Sequence, residues 1–172
     1  MDPMTGPDPT PETTSTDATP TSKVVSASRE IAAPADVIFE LIANPVAQVR
    51  WDGNDNLAAA PVDERIHNRG DMFAMILTTE GQVRENHVVE FEEGRRIAWM
   101  PAEPGRPPFG QLWRWELEPI DPQHTLVTHT YDWTRLETHV PMRVARAEAT
   151  GVANLAASLD RLAELAEAVE SG

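Results

Sequence analysis

Four side chains suited to acid–base chemistry occupy alternate positions in two apolar segments. Glu85 and His87 lie in "QVRENHVVEFEE", and His129 and Tyr131 lie in "HTLVTHTYDWT". Successive side chains of a β-strand point to opposite faces, so each pair shares a face with the apolar residues of its own strand. A carboxylate buried alone is costly, and a Glu–His pair or a water-filled site would relieve that cost. One interpretation is therefore that Glu85 and His87 form an acid–base pair that moves a proton on a carbonyl-bearing ligand.

The alternative is that these strands slip or bulge, which would leave all four side chains at a solvent-exposed rim. His67, His124 and His139 fall in loops or at strand ends. The chain has no cysteine and no His-Glu-x-x-His spacing, so we predict no metal site and no cofactor.

Large aromatic side chains accompany these polar residues on the same predicted faces. Core packing would explain any single tryptophan, but tryptophan is rarely fully buried and its N–H needs a partner. As a group, the aromatic residues suit the wall of an apolar pocket. The predicted ligand-contacting set is Trp51, Phe73, Met75, Trp99, Trp113, Trp115, His129, Tyr131 and Trp133.

The segment "REIAAPADVIFELIANPVAQVRWDGN" must position one end of such a pocket. A strand runs into a helix of two to three turns, and Asn44-Pro45 ends this helix because a residue before proline avoids the α region. A second helical turn leads to Trp51. We interpret the segment as a plug, with Trp51 either a lid over the cavity mouth or a staple between the turn and the sheet.

Residues 64–134 are repeatedly β-like, and residues 141–168 have one apolar face at helical spacing. The pattern predicts six or seven antiparallel strands curled around one long C-terminal helix, with a cavity between them. Gly151 lies in the middle of that helix, which implies a packing or curvature role. The loop 101–110, rich in proline and glycine, is a second candidate for the rim. Its Arg106 either meets a ligand carboxylate or is solvated.

Composition narrows the class of protein. The chain has 172 residues and a formal net charge of −14, which disfavours nucleic acid and anionic membranes as partners. Residues 1–22 are rich in Pro, Thr, Asp and Ser, so we predict a disordered tail before one domain at 23–170. No apolar run is long enough to span a bilayer. We expect a cytoplasmic monomer or homodimer.

The ordered pieces of residues 23–168 together resemble the START-like superfamily, in its polyketide cyclase/dehydrase branch. The resemblance rests on "SREIAAPADVIFELIANP", "GDMF", "VVEFEEGRRIAWM", "WRWELEP", "HTLVTHTYDW" and the terminal amphipathic helix. It implies the α+β helix-grip fold, in which a curved antiparallel sheet surrounds a long C-terminal helix, and a cavity for an apolar molecule.

Two functions from different classes follow. The favoured one is binding of a small hydrophobic ligand, which is lipid-, polyketide- or aromatic-like, without catalysis. The alternative is a polyketide cyclase or dehydratase that uses Glu85 and His87 in the same cavity. A weaker third hypothesis is an interaction protein that uses its acidic surface.

Overall fold

A computed structural model describes residues 22–171. The predicted tail at 1–22 therefore lies, apart from Ser22, outside the described residues. The elements in chain order are β1 (Val24–Ile31), α1 (Ala35–Ala43), α2 (Pro45–Trp51), β2 (Leu57–Ala59), β3 (Met72–Leu77), β4 (Val83–Glu92), β5 (Arg96–Ala102), β6 (Leu112–Asp121), β7 (His124–Asp132), α3 (Pro141–Ala149) and α4 (Val152–Ser171).

The strands form one antiparallel sheet in the order β1-β7-β6-β5-β4-β3-β2. This curved sheet of seven strands, with a long helix at the C-terminal end of the chain, confirms the predicted fold. Helix α4 packs against β1 and β7 and against both short helices. The apolar face that makes these contacts consists of Leu155, Leu159, Leu162, Ala163 and Ala166.

The two short helices form the predicted plug, and their boundary follows from local chemistry. Asn44 has an extended backbone before Pro45, so α1 ends there. The same residue begins α2, because its Oδ1 accepts a hydrogen bond from the Val46 N–H at 3.0 Å. Helix α1 buries Ile38, Phe39 and Ile42 in the main core.

The single C-terminal helix predicted for 141–168 is wrong, because it divides at Thr150 and Gly151 into α3 and α4. Thr150 has an extended backbone, and its hydroxyl donates to the Arg146 carbonyl at 2.9 Å. Gly151 follows, with the low helix propensity of glycine. Within residues 22–171 no neighbouring atom lies within 4 Å of a Cβ placed at Gly151, so close packing does not explain this glycine, and the helix break agrees with the curvature role that the sequence left open beside it. Helix α3, which this division separates from α4, contributes residues to the cavity described below.

Candidate ligand-binding cavity

A cavity of about 500 Å³ lies between the sheet, the plug and the start of the C-terminal helices. Its volume falls within the range of small-molecule sites, roughly 300–1,000 Å³. The second plug helix, the sheet, the loop 101–110 and the C-terminal helices contribute to its wall, whereas α1 contributes no lining residue and packs in the core. The lining residues include Gln48, Trp51, Asp52, Leu57, Met75, Leu77, Arg84, Asn86, Trp99, Phe109, Gln111, Trp113, Trp115, His129, Tyr131, Arg143, Arg146, Ala149 and Thr150.

Seven of the nine predicted ligand-contacting residues line this cavity, namely Trp51, Met75, Trp99, Trp113, Trp115, His129 and Tyr131. The other two are buried outside its lining. The Phe73 ring packs edge-on against Trp99, with centroids 5.2 Å apart. Trp133 belongs to a second core cluster, which contains Leu136, Ala147 and Leu155 and shares Tyr131 with the cavity wall. Strand alternation was thus a good guide on β6 and β7.

The contacts of Trp51 agree with the staple, one of the two roles that the sequence left open. It is only 1% exposed, and its Nε1 donates to the Leu41 carbonyl at 2.8 Å, which fastens α2 to α1. Its ring also packs edge-on against Trp115, with centroids 5.1 Å apart. The residue therefore staples the plug together and forms part of the cavity wall.

His129 is a neutral member of the wall. Its ring stacks on Trp115, with centroids 3.7 Å apart, and its Nδ1 lies 2.9 Å from the Arg114 carbonyl oxygen. Burial lowers the pKa of His129 to about 3, although the hydrogen bond to Arg114 opposes the shift. Since a carbonyl oxygen only accepts, Nδ1 carries the proton and Nε2 is left as an acceptor.

Tyr131 keeps its proton beside this pair. Its ring packs against Trp113, with centroids 4.2 Å apart. Burial raises the pKa of the phenol, against a smaller opposing effect of the Gln111 side chain. At neutral pH Tyr131 therefore offers a hydroxyl, not a phenolate.

The placement of Glu85 and His87 inside the cavity is wrong. Asn86, between them in sequence, is buried and lines the cavity, so its two neighbours point to the opposite face. His87 pairs in register with the exposed Met72. Glu85 accepts a hydrogen bond from the Gly105 N–H at 2.6 Å. The two side chains therefore do not form an acid–base pair in the cavity.

A β-bulge explains this error. The β4–β5 register shifts between Val88 and Glu90, so one extra residue is inserted there. Phe91, beyond the bulge, packs edge-on against Phe39 in the core. On the N-terminal side of the bulge the inward-facing positions are therefore Asn86 and Val88, and not Glu85 and His87. A bulge was part of the alternative given from the sequence, in which all four polar side chains lie outside the cavity. It applies to Glu85 and His87 only, because His129 and Tyr131 on β7 line the cavity.

Asp52 is a cavity residue that the aromatic pattern did not identify. It is 7% exposed, and its Oδ1 accepts a hydrogen bond from Asn54 Nδ2 at 3.0 Å. Its Oδ2 is buried without a hydrogen-bond partner in residues 22–171. Burial raises the pKa of this carboxyl from 3.8 to about 6. Its position next to Trp51 is the one feature of the sequence that could have indicated the burial of Asp52.

Two more cavity-lining residues carry buried polar atoms without partners in the described chain, namely Trp115 at Nε1 and Gln111 at Oε1. A buried polar atom without a partner costs roughly 1–3 kcal/mol, so such atoms need an explanation. With Asp52 Oδ2, the set contains one N–H donor and two oxygens. All three belong to residues that line the same cavity, which suggests that a bound molecule or water completes their hydrogen bonds.

Other kinds of site find little support in the described chain. Residues 22–171 hold no group of three or more His, Asp or Glu side chains placed to bind a metal ion. No helix in that range has the length and apolar character needed to cross a bilayer. Arg106, the rim candidate from the sequence, is exposed and does not line the cavity.

Residues 22–167 match the family described as polyketide cyclase/dehydrase and lipid transport. The chain therefore belongs to this family, as the resemblance in the sequence implied.

Two relatives and two solved structures illustrate the breadth of the similarity. The uncharacterized proteins Rv0088 and MT0096, from two strains of Mycobacterium tuberculosis, are 28% identical over 119 residues, 63% of this chain and 47% of theirs. The chain thus matches about half the length of these curated relatives.

Among solved structures, a START superfamily protein from Mycobacterium smegmatis has a TM-score of 0.61 at 20% identity, covering 85% of this chain and 98% of that one. The Zhui aromatase/cyclase from Streptomyces sp. R1128 has a TM-score of 0.61 at 18% identity, covering 84% and 93%. At these identities the likeness shows a shared fold.

Proposed function

We propose that this protein binds a small, largely apolar molecule in the cavity between the sheet and the C-terminal helices. The observation that carries the proposal is the composition of the wall. Trp51, Trp99, Trp113 and Trp115 provide an apolar surface, which also contains buried polar atoms that lack partners in the part of the chain that the structure describes. Binding sites for small molecules combine these two features, since apolar walls supply affinity and a few polar groups fix orientation.

A dry, filled core does not explain this arrangement as well. A core gains by close packing and by pairing its polar atoms. Here a space of about 500 Å³ remains, and the N–H of Trp115, although fully buried, has no partner within residues 22–171. A ligand with an apolar body and at least one hydrogen-bonding group would fill the space and pair these atoms.

Titration with the neutral fluorophore N-phenyl-1-naphthylamine tests the proposal. We expect saturable binding of one molecule per chain at roughly micromolar affinity, about −8 kcal/mol, with quenching of tryptophan emission. Trp113→Leu should weaken binding, because Trp113 is half-buried in the wall. Glu116→Ala, an exposed position on the same strand, is the control and should leave binding unchanged. Absence of saturable binding to the folded protein would overturn the proposal.

The second candidate is an enzyme of the cyclase or dehydratase type, and Asp52 is the observation that favours it. A carboxyl with a pKa raised to about 6 can give or take a proton near neutral pH. Its Oδ2 has no partner among the described residues. Asp52 thus takes the acid–base role that the sequence assigned to Glu85 and His87.

Asp52→Asn separates the two candidates. The amide keeps the size of the side chain but cannot transfer the proton, so probe binding should persist while turnover of a polyketide-like carbonyl substrate stops. Glu85→Gln, on the outer face, is the matched control and should leave turnover unchanged. Equal turnover in wild type and Asp52→Asn would remove Asp52 from the reaction.

A further inference from the structure

Three arginines line one part of the cavity. Arg84 comes from the start of β4, and Arg143 and Arg146 come from α3. The guanidinium groups of Arg84 and Arg143 both lie over the Phe109 ring, with their central carbons 5.5 and 3.9 Å from its centroid. Phe109 itself lines the cavity, so a ring that a ligand can touch is bordered by positive charge.

The carboxylates of the described chain do not neutralise this cluster. Arg143 pairs with Glu103, at 3.3 Å from Nη2 to Oε1. Arg84 instead donates to the Val83 carbonyl and to the Gln82 side-chain oxygen, both neutral. Within residues 22–171 neither Arg84 nor Arg146 forms an ion pair. Three positive charges therefore share one carboxylate partner.

The electrostatics of Arg84 agree with this geometry. Burial lowers the pKa of its guanidinium, Glu103 opposes the shift, and the positive charges of Arg146 and Arg143 add to it. The whole chain has 28 acidic and 14 basic side chains, so a local excess of arginine at a cavity runs against its composition. Asp52, the carboxyl in the wall, has Asp55 and Arg161 as its charged neighbours instead.

We infer that the ligand is an amphipathic carboxylate, whose apolar body lies against the tryptophans and whose charged group meets Arg84, Arg143 and Arg146. The inference rests on the proposed binding function and adds the chemical class of the ligand. Guanidinium groups match the planar geometry of a carboxylate and bind it through charge-assisted hydrogen bonds. The division of α3 from α4 brings two of the three arginines to the site.

Competition between dodecanoate and dodecan-1-ol for the bound naphthylamine tests this inference. The two molecules share a twelve-carbon chain and differ in the charge of the head group. A purely apolar cavity favours the alcohol, which has the lower cost of leaving water. We expect dodecanoate to displace the fluorophore at about tenfold lower concentration, as a charge-assisted hydrogen bond would give. Added salt should weaken dodecanoate more than the alcohol.

Two variants that each remove one arginine charge test whether the arginines cause the preference for dodecanoate. Arg84→Gln and Arg146→Gln should each lose most of the preference for dodecanoate and keep their affinity for dodecan-1-ol. Arg106→Gln is the matched control, because Arg106 is exposed on the loop before Phe109 and outside the lining. If the Arg84 variant fails to fold, the exposed Arg146 and the salt dependence still decide the question.

The outcomes separate the two proposals. If the fluorophore binds but the alcohol competes as well as dodecanoate, the carboxylate inference is overturned and the binding function stands. A preference for dodecanoate that Arg146→Gln and Arg84→Gln leave intact also overturns it. Failure of the fluorophore to bind the folded wild-type protein overturns the binding function and the inference with it.

Discussion

At the scale of single residues, the cavity wall holds polar groups in their neutral forms. His129 is deprotonated and Tyr131 is protonated, because burial disfavours the charged form of each. The carboxyl of Asp52 is the intermediate case, with a pKa raised to about 6. Its charge can therefore change under mild conditions, and its protonation can be followed through the stability of the protein.

We predict that Asp52 makes the folded protein less stable as the pH rises from about 4 to about 7. The unfolded carboxyl has a pKa near 3.8 and the folded one about 6, so in this window the folded state binds more protons. The shift corresponds to at most about 3 kcal/mol. Asp52→Asn removes this dependence. As the pH rises from about 4 to about 7, the free energy of unfolding of the variant should therefore increase relative to that of the wild type.

Urea unfolding at several pH values checks this prediction. Asp55→Asn serves as the control, because the hydrogen bond with Arg161 lowers the pKa of Asp55, so its contribution to stability changes at and below pH 3.8 and the variant, relative to wild type, should change little between pH 4 and 7. The account of Asp52 fails if its variant and the wild type show parallel pH profiles.

At the scale of elements, the fit of the plug depends on Gly53. This residue follows α2 and lies against α4, where its N–H donates to Ser158 Oγ at 2.8 Å. A Cβ added here would lie 2.6 Å from the Asn154 carbonyl oxygen and 2.7 Å from the Ser158 nitrogen. These are backbone atoms that cannot move alone, so any side chain would push the end of the plug away from α4.

We predict that Gly53→Ala lowers the free energy of unfolding by about 1–3 kcal/mol, the range for overpacking. Gly151→Ala is the matched control, since its added methyl group meets no neighbouring atom of the described residues within 4 Å. The control should be neutral or stabilising by up to about 1 kcal/mol, because alanine restricts the unfolded chain. Urea unfolding of the two variants gives the comparison, and equal stabilities would show that the approach of Gly53 to α4 is not tight.

Some elements could be predicted from the sequence and others could not. Periodicity predicted the order of strands and helices, and alternation placed Trp113 and Trp115 correctly because β6 pairs without irregularity along that stretch. On β4 one inserted residue reversed the faces, and nothing in the sequence of an isolated strand locates such an insertion. The arginines of α3 were missed for a similar reason, since the helix break at Thr150 depends on local backbone hydrogen bonds.

At the scale of the whole molecule, the fold separates the role of the tryptophans into two groups. Trp51, Trp99, Trp113 and Trp115 line the cavity, whereas Trp133 does not line it and packs behind the wall in a cluster with Tyr131, with Lys23 over its ring at 5.5 Å. These five are all the tryptophans of the chain. Their indole N–H groups therefore report on the cavity and on a position outside it in the same sample.

The binding of a neutral ligand, decan-1-ol, followed through the five indole N–H resonances in ¹⁵N-correlated NMR spectra, tests the central claim most directly. We predict saturable shifts of the four cavity indoles. The largest should be at Trp115, whose N–H has no partner in the described chain and can donate to the alcohol oxygen. The Trp133 resonance should stay in place. Five unchanged resonances, or a Trp133 shift as large as that of Trp115, would contradict the claim that this cavity is the binding site.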